Sequence, residues 1–134
     1  MTGETDLSTL LSSLNAELAE DVYVFATVVG NIPQDLTPQM IFHEAEGITL
    51  IVPRREAVAH GLPFEFPCRK ITLNVHSALD AVGFLARITT ALAQHKMGVN
   101  PVSGFYHDHL FVPEDRANDA MNILAQLSET MPGQ

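Results

Sequence analysis

Two stretches decide the fold: Ile48-Thr-Leu-Ile-Val-Pro-Arg-Arg-Glu-Ala57 and, sixty positions on, Asp108-His-Leu-Phe-Val-Pro-Glu-Asp-Arg-Ala117. Leu50, Val52, Pro53 and Ala57 of the first recur as Leu110, Val112, Pro113 and Ala117 of the second. In each, an apolar run ends at a proline, which a helix tolerates at its first position but not in its interior. Both stretches therefore read as a strand running straight into a helix. Each also follows a glycine turn, Glu46-Gly47 or Gly104, that suits a hairpin. A pattern that returns at a fixed period in the same context marks an internal repeat.

Working outward from the second copy, Ile71, Leu73 and Val75 alternate with Thr72, Asn74 and His76, as in a half-buried strand. A turn from Ser77 to Gly83 leads to a helix ending near Lys96, with Val82, Leu85, Ile88 and Leu92 on its apolar face and Gly98 as its stop. Strands follow at Val99–Ser103 and His107–Val112. A last helix opens at Pro113 with Glu114 and Asp115 at the positive end of its dipole, buries Ala117, Ala120, Met121, Leu124 and Leu127, and frays after Glu129.

The first copy is shorter. Leu7, Leu10, Leu11, Leu14 and Leu18 recur at helical spacing behind a Thr5 cap. Val22–Val29 reads as a strand, Gly30–Pro38 as a loop, and Met40–Ala45 and Ile48–Val52 as strands. A short helix from Pro53 to His60 is stopped by Gly61. Pro63 and Pro67 bracket an edge or linker piece, Phe64-Glu65-Phe66, where the halves divide.

Both halves are versions of β-α-β-β-α-β, the split βαβ of ferredoxin-like folds, so the class expected is α+β with antiparallel sheets covered by helices. In the first half about ten residues separate the first two strands, too few for a crossover helix, so that repeat is degenerate. The second half runs out before a fourth strand. The expected organisation is residues 1–66 as N-terminal helix and degenerate repeat, and 67–134 as a C-terminal repeat completed by a strand from the first half, Val22–Val29.

Apolar residues make up 46 % of the 134, enough for a core. Sixteen acidic residues against seven basic ones give a net charge of −9, a field that repels phosphate backbones and anionic lipid. Nucleic acid and membranes are thus not expected partners. No apolar run reaches the ~20 residues that span a bilayer, and the acidic N-terminus lacks a signal-peptide pattern, so a cytoplasmic protein is expected. The single Cys68 fits a reducing compartment and reads as a small buried thiol.

Residues 69–128 resemble an ACT domain of the tandem, amino-acid-sensing branch that includes the regulatory modules of aspartate kinases. The resemblance rests on Arg69-Lys-Ile-Thr-Leu-Asn-Val-His76, Leu79-Asp-Ala-Val-Gly-Phe-Leu-Ala86, Gly98-Val-Asn-Pro-Val-Ser103 and His107-Asp-His-Leu-Phe-Val-Pro-Glu114. With Glu44-Ala-Glu-Gly-Ile-Thr-Leu50 in the first half, the whole chain is similar to small bacterial proteins with two ACT repeats. The resemblance implies a non-catalytic regulatory module that binds an amino acid or similar metabolite and acts on an enzyme or other protein. It implies a site built from Asp80, Val82, Gly83, Phe84 and Leu85 on the turn, Asn100, Val102 and Ser103 on the strand, and Asp108 on the strand after it.

Elementary chemistry gives those positions roles. Gly83 allows close backbone approach, and the free N–H groups of Phe84, Leu85 and Ala86 make a seat for a carboxylate. Asp80 or Asp108 would meet an ammonium. The plainer alternative has Gly83 serving helix packing and Asp80 capping the helix. His107 and His109 share a strand face and, with His76, would suit a metal, but a polar exposed face accounts for them as well and no metal or other cofactor is expected. Glu44 and Glu46 flank a turn and face solvent more readily than they do acid–base chemistry, and no catalytic signature is present. A homodimer is expected, since a sheet covered on one face leaves apolar surface to bury. The competing reading is a protein–protein interaction module with a vestigial pocket, tested by whether amino acids raise the melting temperature.

Overall fold

The computed structural model describes residues 6–75 and 81–130. Its elements, in chain order, are α1 (Leu7–Ser12), β1 (Ala16–Val28), β2 (Met40–His43), β3 (Ile48–Pro53), α2 (Arg54–Ala59), β4 (Phe64–Leu73), α3 (Phe84–Gln94), β5 (Asn100–Ser103), β6 (Asp108–Pro113), a 3₁₀ turn (Glu114–Arg116) and α4 (Ala117–Thr130). The chain forms two compact units, residues 1–20 with 69–134 and residues 21–68. β1 and β4 each give one portion to either unit.

In the unit of residues 21–68 the strand order is β2-β3-β1-β4. β1 and β3 pair antiparallel with Val24 opposite Val52 and Thr27 opposite Thr49, and β2 pairs with β3 through Ile41 and Leu50. Val24, Ala26, Leu50, Val52 and Ala57 form the core. The segment between β1 and β2 has no helix, in keeping with its length. Leu36 drops into the core, while Thr37 donates its N–H and hydroxyl to the two carboxylate oxygens of Glu56 on α2 at 2.7 and 2.5 Å. Phe64–Cys68 is the outer strand, as the flanking prolines require. Phe66 there adopts φ 61°, a left-handed backbone just before Pro67, which has no N–H to offer a ladder.

In the unit of residues 1–20 and 69–134 the order is β1-β4-β6-β5. Here the neighbour of β4 is the 16–20 portion of β1, whereas Val22–Val28 belongs to the other unit. The Asn74 N–H donates to the Asn15 carbonyl at 2.8 Å, and the Arg69 guanidinium holds the Ala19 carbonyl at 2.7 and 3.0 Å. Ile71, Leu73, Ile88, Leu92, Leu110 and Leu124 centre the core. Ala117 and Ala120 bring α4 close, and the half-buried Met121 and Leu127 pack at its margin.

Three sequence expectations are revised. The first helix is capped by Asp6, whose carboxylate accepts from the Thr9 N–H at 2.9 Å, and it ends at Ser12. Leu18 therefore sits on a strand, because pairing with β4 overrides the helical spacing of its leucines. Leu10, Leu11 and Leu14 remain in the core. α3 ends near Lys96 as expected, but the residue that stops it is Lys96 itself and not Gly98: the lysine takes the left-handed conformation at φ 57°. The Lys96 and Met97 N–H groups then reach back to the Ala93 and Leu92 carbonyls at 2.8 and 3.2 Å, a Schellman ending with Met97 buried beneath it. Val82, expected on the buried face of that helix, precedes it and is 85 % exposed; Phe84 takes the core position.

The internal repeat is visible as backbone. Pro53 has φ −54° and ψ 137°, Pro113 φ −52° and ψ 139°. Each ends its strand, one residue earlier than a first helical position. Leu50, Val52 and Ala57 in one core match Leu110, Val112 and Ala117 in the other.

Candidate functional site

α3 begins at Phe84, and its ladder begins with the Arg87 N–H donating to the Gly83 carbonyl at 2.9 Å. The N–H groups of Phe84, Leu85 and Ala86 precede that ladder, and no side chain of the described residues caps them. Gly83 carries φ +90°, a conformation that side-chain-bearing residues rarely adopt. A Cβ there would stand 3.7 Å from Leu7 Cδ2, an ordinary contact, so backbone conformation, not space, calls for glycine. A Gly83→Val change places a β-branched residue in that conformation and costs the fold about 1–3 kcal/mol.

The second set of expected residues lies on the β5–β6 hairpin. Ser103 pairs with Asp108, Val102 with His109 and Asn100 with Phe111. Asp108 is 7 % exposed and accepts a hydrogen bond from the Ser103 hydroxyl at 2.6 Å. Gly104 closes the hairpin with its N–H on the His107 carbonyl at 2.9 Å, and a Cβ there would crowd that oxygen at 3.1 Å. The structure thus brings Ser103 and Asp108 together and lines up Gly83, Phe84 and Leu85 at one helix start. Phe84 can offer a ligand only its backbone, because its ring is in the core. Asn100 is exposed and Val102 half-buried. Asp80 and His76 lie outside the described residues.

Among the described residues no three His, Cys, Asp or Glu side chains converge as metal ligands. His109 Nδ1 lies 3.0 Å from the Thr72 hydroxyl on the neighbouring strand. Burial holds this imidazole below its ordinary value of 6.5, Lys70 and His107 reinforce the shift, and Asp108 opposes it. Cys68 is buried, with its thiol on the Tyr23 carbonyl at 3.3 Å. Glu44 accepts from the Thr49 hydroxyl at an exposed position, a turn-fixing role. A groove of about 320 Å³ in the unit of residues 21–68 has no direct sign in the sequence beyond Phe64-Glu65-Phe66 between its two prolines.

Two ACT-domain family models match the chain, one over residues 2–69 and the other over 65–126. The chain belongs to the ACT-domain family. The ACT repeats follow one another along the sequence, whereas the compact units interleave, residues 1–20 joining 69–134. A Vibrio cholerae protein of unknown function and possible transport role is 39 % identical to it, with a TM-score of 0.83 over 91 % of this chain and 95 % of that one. An Agrobacterium tumefaciens protein shares the fold at 16 % identity and a TM-score of 0.71, covering 86 % and 89 % of the two chains. The ligand-free regulatory subunit of aspartate kinase from Thermus thermophilus shares it at 12 % identity and 0.62, covering 86 % and 99 %. No functionally curated protein matches the chain. The fold is accordingly a tandem of ferredoxin-like ACT repeats, α+β in class, and the family ties the chain to small-molecule-binding regulation. No helix of the described residues is long and apolar enough to cross a membrane.

Proposed function

We propose that this protein is a non-catalytic regulatory module that binds an α-amino acid at the start of α3. The observation that carries the reading is the run of N–H groups at Phe84, Leu85 and Ala86, which no side chain of the described residues caps, opened by a left-handed Gly83 in a chain of the ACT family. Three donors converging with the positive end of an eleven-residue helix dipole favour a carboxylate by electrostatics alone. Asn100 and Ser103 supply exposed polar groups on the edge strand β5, and Asp108 acts through Ser103, whose hydroxyl it orients. Val82 precedes the helix on the turn, and Asp80 remains the expected partner of the ligand's ammonium. The effect passes to a separate cytoplasmic enzyme or other protein, and the sensor works as a homodimer.

Thermal shift against the common amino acids tests this. A ligand present at about 100 times its Kd adds roughly 2.7 kcal/mol to the folded state. The α-amide of an active amino acid should give no shift, because the amide removes the charge that the helix end recognises. Equal shifts from acid and amide would place recognition elsewhere. A second reading, an interaction module, is supported by Phe105 and Tyr106 at the β5–β6 turn. Both are 67 % exposed, and their rings meet edge to face at 4.9 Å. It gains if no amino acid shifts the melting while Phe105→Ser with Tyr106→Ser breaks a self-association seen by ultracentrifugation.

A further inference from the structure

In the unit of residues 21–68 an open groove of about 320 Å³ runs beside Phe25, Thr27, Thr49, Pro63, Phe64 and Glu65. We infer that this groove binds an organic cation, an ammonium carried on an aromatic or branched apolar body.

The walls supply the apolar half. Phe64 is 37 % exposed, Pro63 is exposed, and Phe25 is braced from one side by Phe66, their rings meeting edge to face with centroids 5.8 Å apart. Exposed aromatic faces attract cations as well as apolar groups. Phe66 is fixed at φ 61°, so the backbone that carries Phe64 and Glu65 holds a conformation unfavourable to a bulky residue. Strain of that kind persists only where surrounding structure enforces it, and it collects beside binding sites.

The polar atoms supply the sign of the charge. Glu65 is the groove's one ionisable side chain, and among the described residues it forms no hydrogen bond or ion pair. The Thr49 hydroxyl donates its proton to the exposed Glu44 carboxylate, so towards the groove its oxygen can only accept. No Lys, Arg or His of the described residues lines the groove. Acceptors and a carboxylate without a cationic partner, in a chain of net charge −9, select a donor-bearing cation and reject a carboxylate. The groove is therefore distinct in residues and in ligand charge from the amino-acid seat proposed on α3.

The probe is phenethylamine, titrated into the full chain with the Thr27 and Thr49 methyl resonances as readout. Saturable shifts of those two methyls are expected, with 2-phenylethanol and phenylalanine each binding at least about fivefold more weakly, the size of an exposed ion pair. Glu65→Gln, at an exposed position that leaves the fold intact, should lose the preference for amine over alcohol, and Phe64→Ala should weaken both. Equal affinity for amine and alcohol, an unchanged preference in Glu65→Gln, or no saturation at millimolar phenethylamine overturns the inference. The overturning outcomes leave the α3 reading untouched, because neither phenethylamine nor 2-phenylethanol has a carboxylate to seat there.

Discussion

At the scale of single residues, His109 shows how a strand position acquires a pH dependence. Its ring lies on β6 against Thr72, and burial, with Lys70 and His107 nearby, disfavours the imidazolium in the folded chain. The unfolded chain titrates this group near 6.5, so between the depressed folded value and 6.5 it binds more protons than the native state does. Stability therefore rises with pH through that window and is lost as the solution is acidified. Urea midpoints at pH about 7.5 and about 5 should separate more in the native chain than in His109→Gln, which retains a group able to bond Thr72. The two proteins differ at this one residue, so the difference of the two slopes reports the loss of His109. Equal slopes would mean that the ring is as well solvated folded as unfolded.

At the scale of elements, the end of α3 offers the sharpest case. The Schellman geometry at Lys96 and Met97 is complete in its hydrogen bonds, yet its left-handed position holds a lysine, while the glycine that the sequence advertises stands two residues later. An L-residue in that conformation gives up about 1–2 kcal/mol, partly recovered through its stiffer unfolded chain. Lys96→Gly should consequently stabilise the protein by roughly 0.5–1 kcal/mol in a denaturant titration. A loss would show that the lysine side chain contributes something the backbone argument leaves out. The same element shows what was legible beforehand. The strand-to-proline-to-helix repeat, the hairpins, α4's stripe and the helix-free segment at 29–39 follow from local chemistry that tertiary packing does not contradict. The length of α1 does not, because Ala16–Glu20 has helical composition and becomes strand only through β4, more than fifty residues away. At the site, Gly83 and the donors after it were readable from a glycine at a helix start. The burial of Asp108 under Ser103 was not, since register across the β5–β6 hairpin decides it. The groove at Phe64 stayed hidden for the same reason: its walls come from strands distant in sequence.

At the scale of the whole molecule, chain order and compact units diverge, and that divergence has an energetic consequence. The ACT repeat matched over residues 65–126 lacks three core leucines of its unit, Leu10, Leu11 and Leu14, and the portion of β1 that borders β4. Emptying a core leucine site costs roughly 2–5 kcal/mol, so three of them amount to the 5–15 kcal/mol that separates a typical domain from its unfolded state. The same cut removes the Asn15 and Ala19 carbonyls that accept from Asn74 and Arg69. Residues 69–134 alone should give poorly dispersed amide spectra and no cooperative melting transition. A synthetic peptide of residues 1–20 added in trans should restore both, and its Leu10→Ser variant should not. A sharp, cooperative fold from 69–134 by itself would show that the second repeat is self-sufficient, and that the N-terminal strand and helix are additions to it.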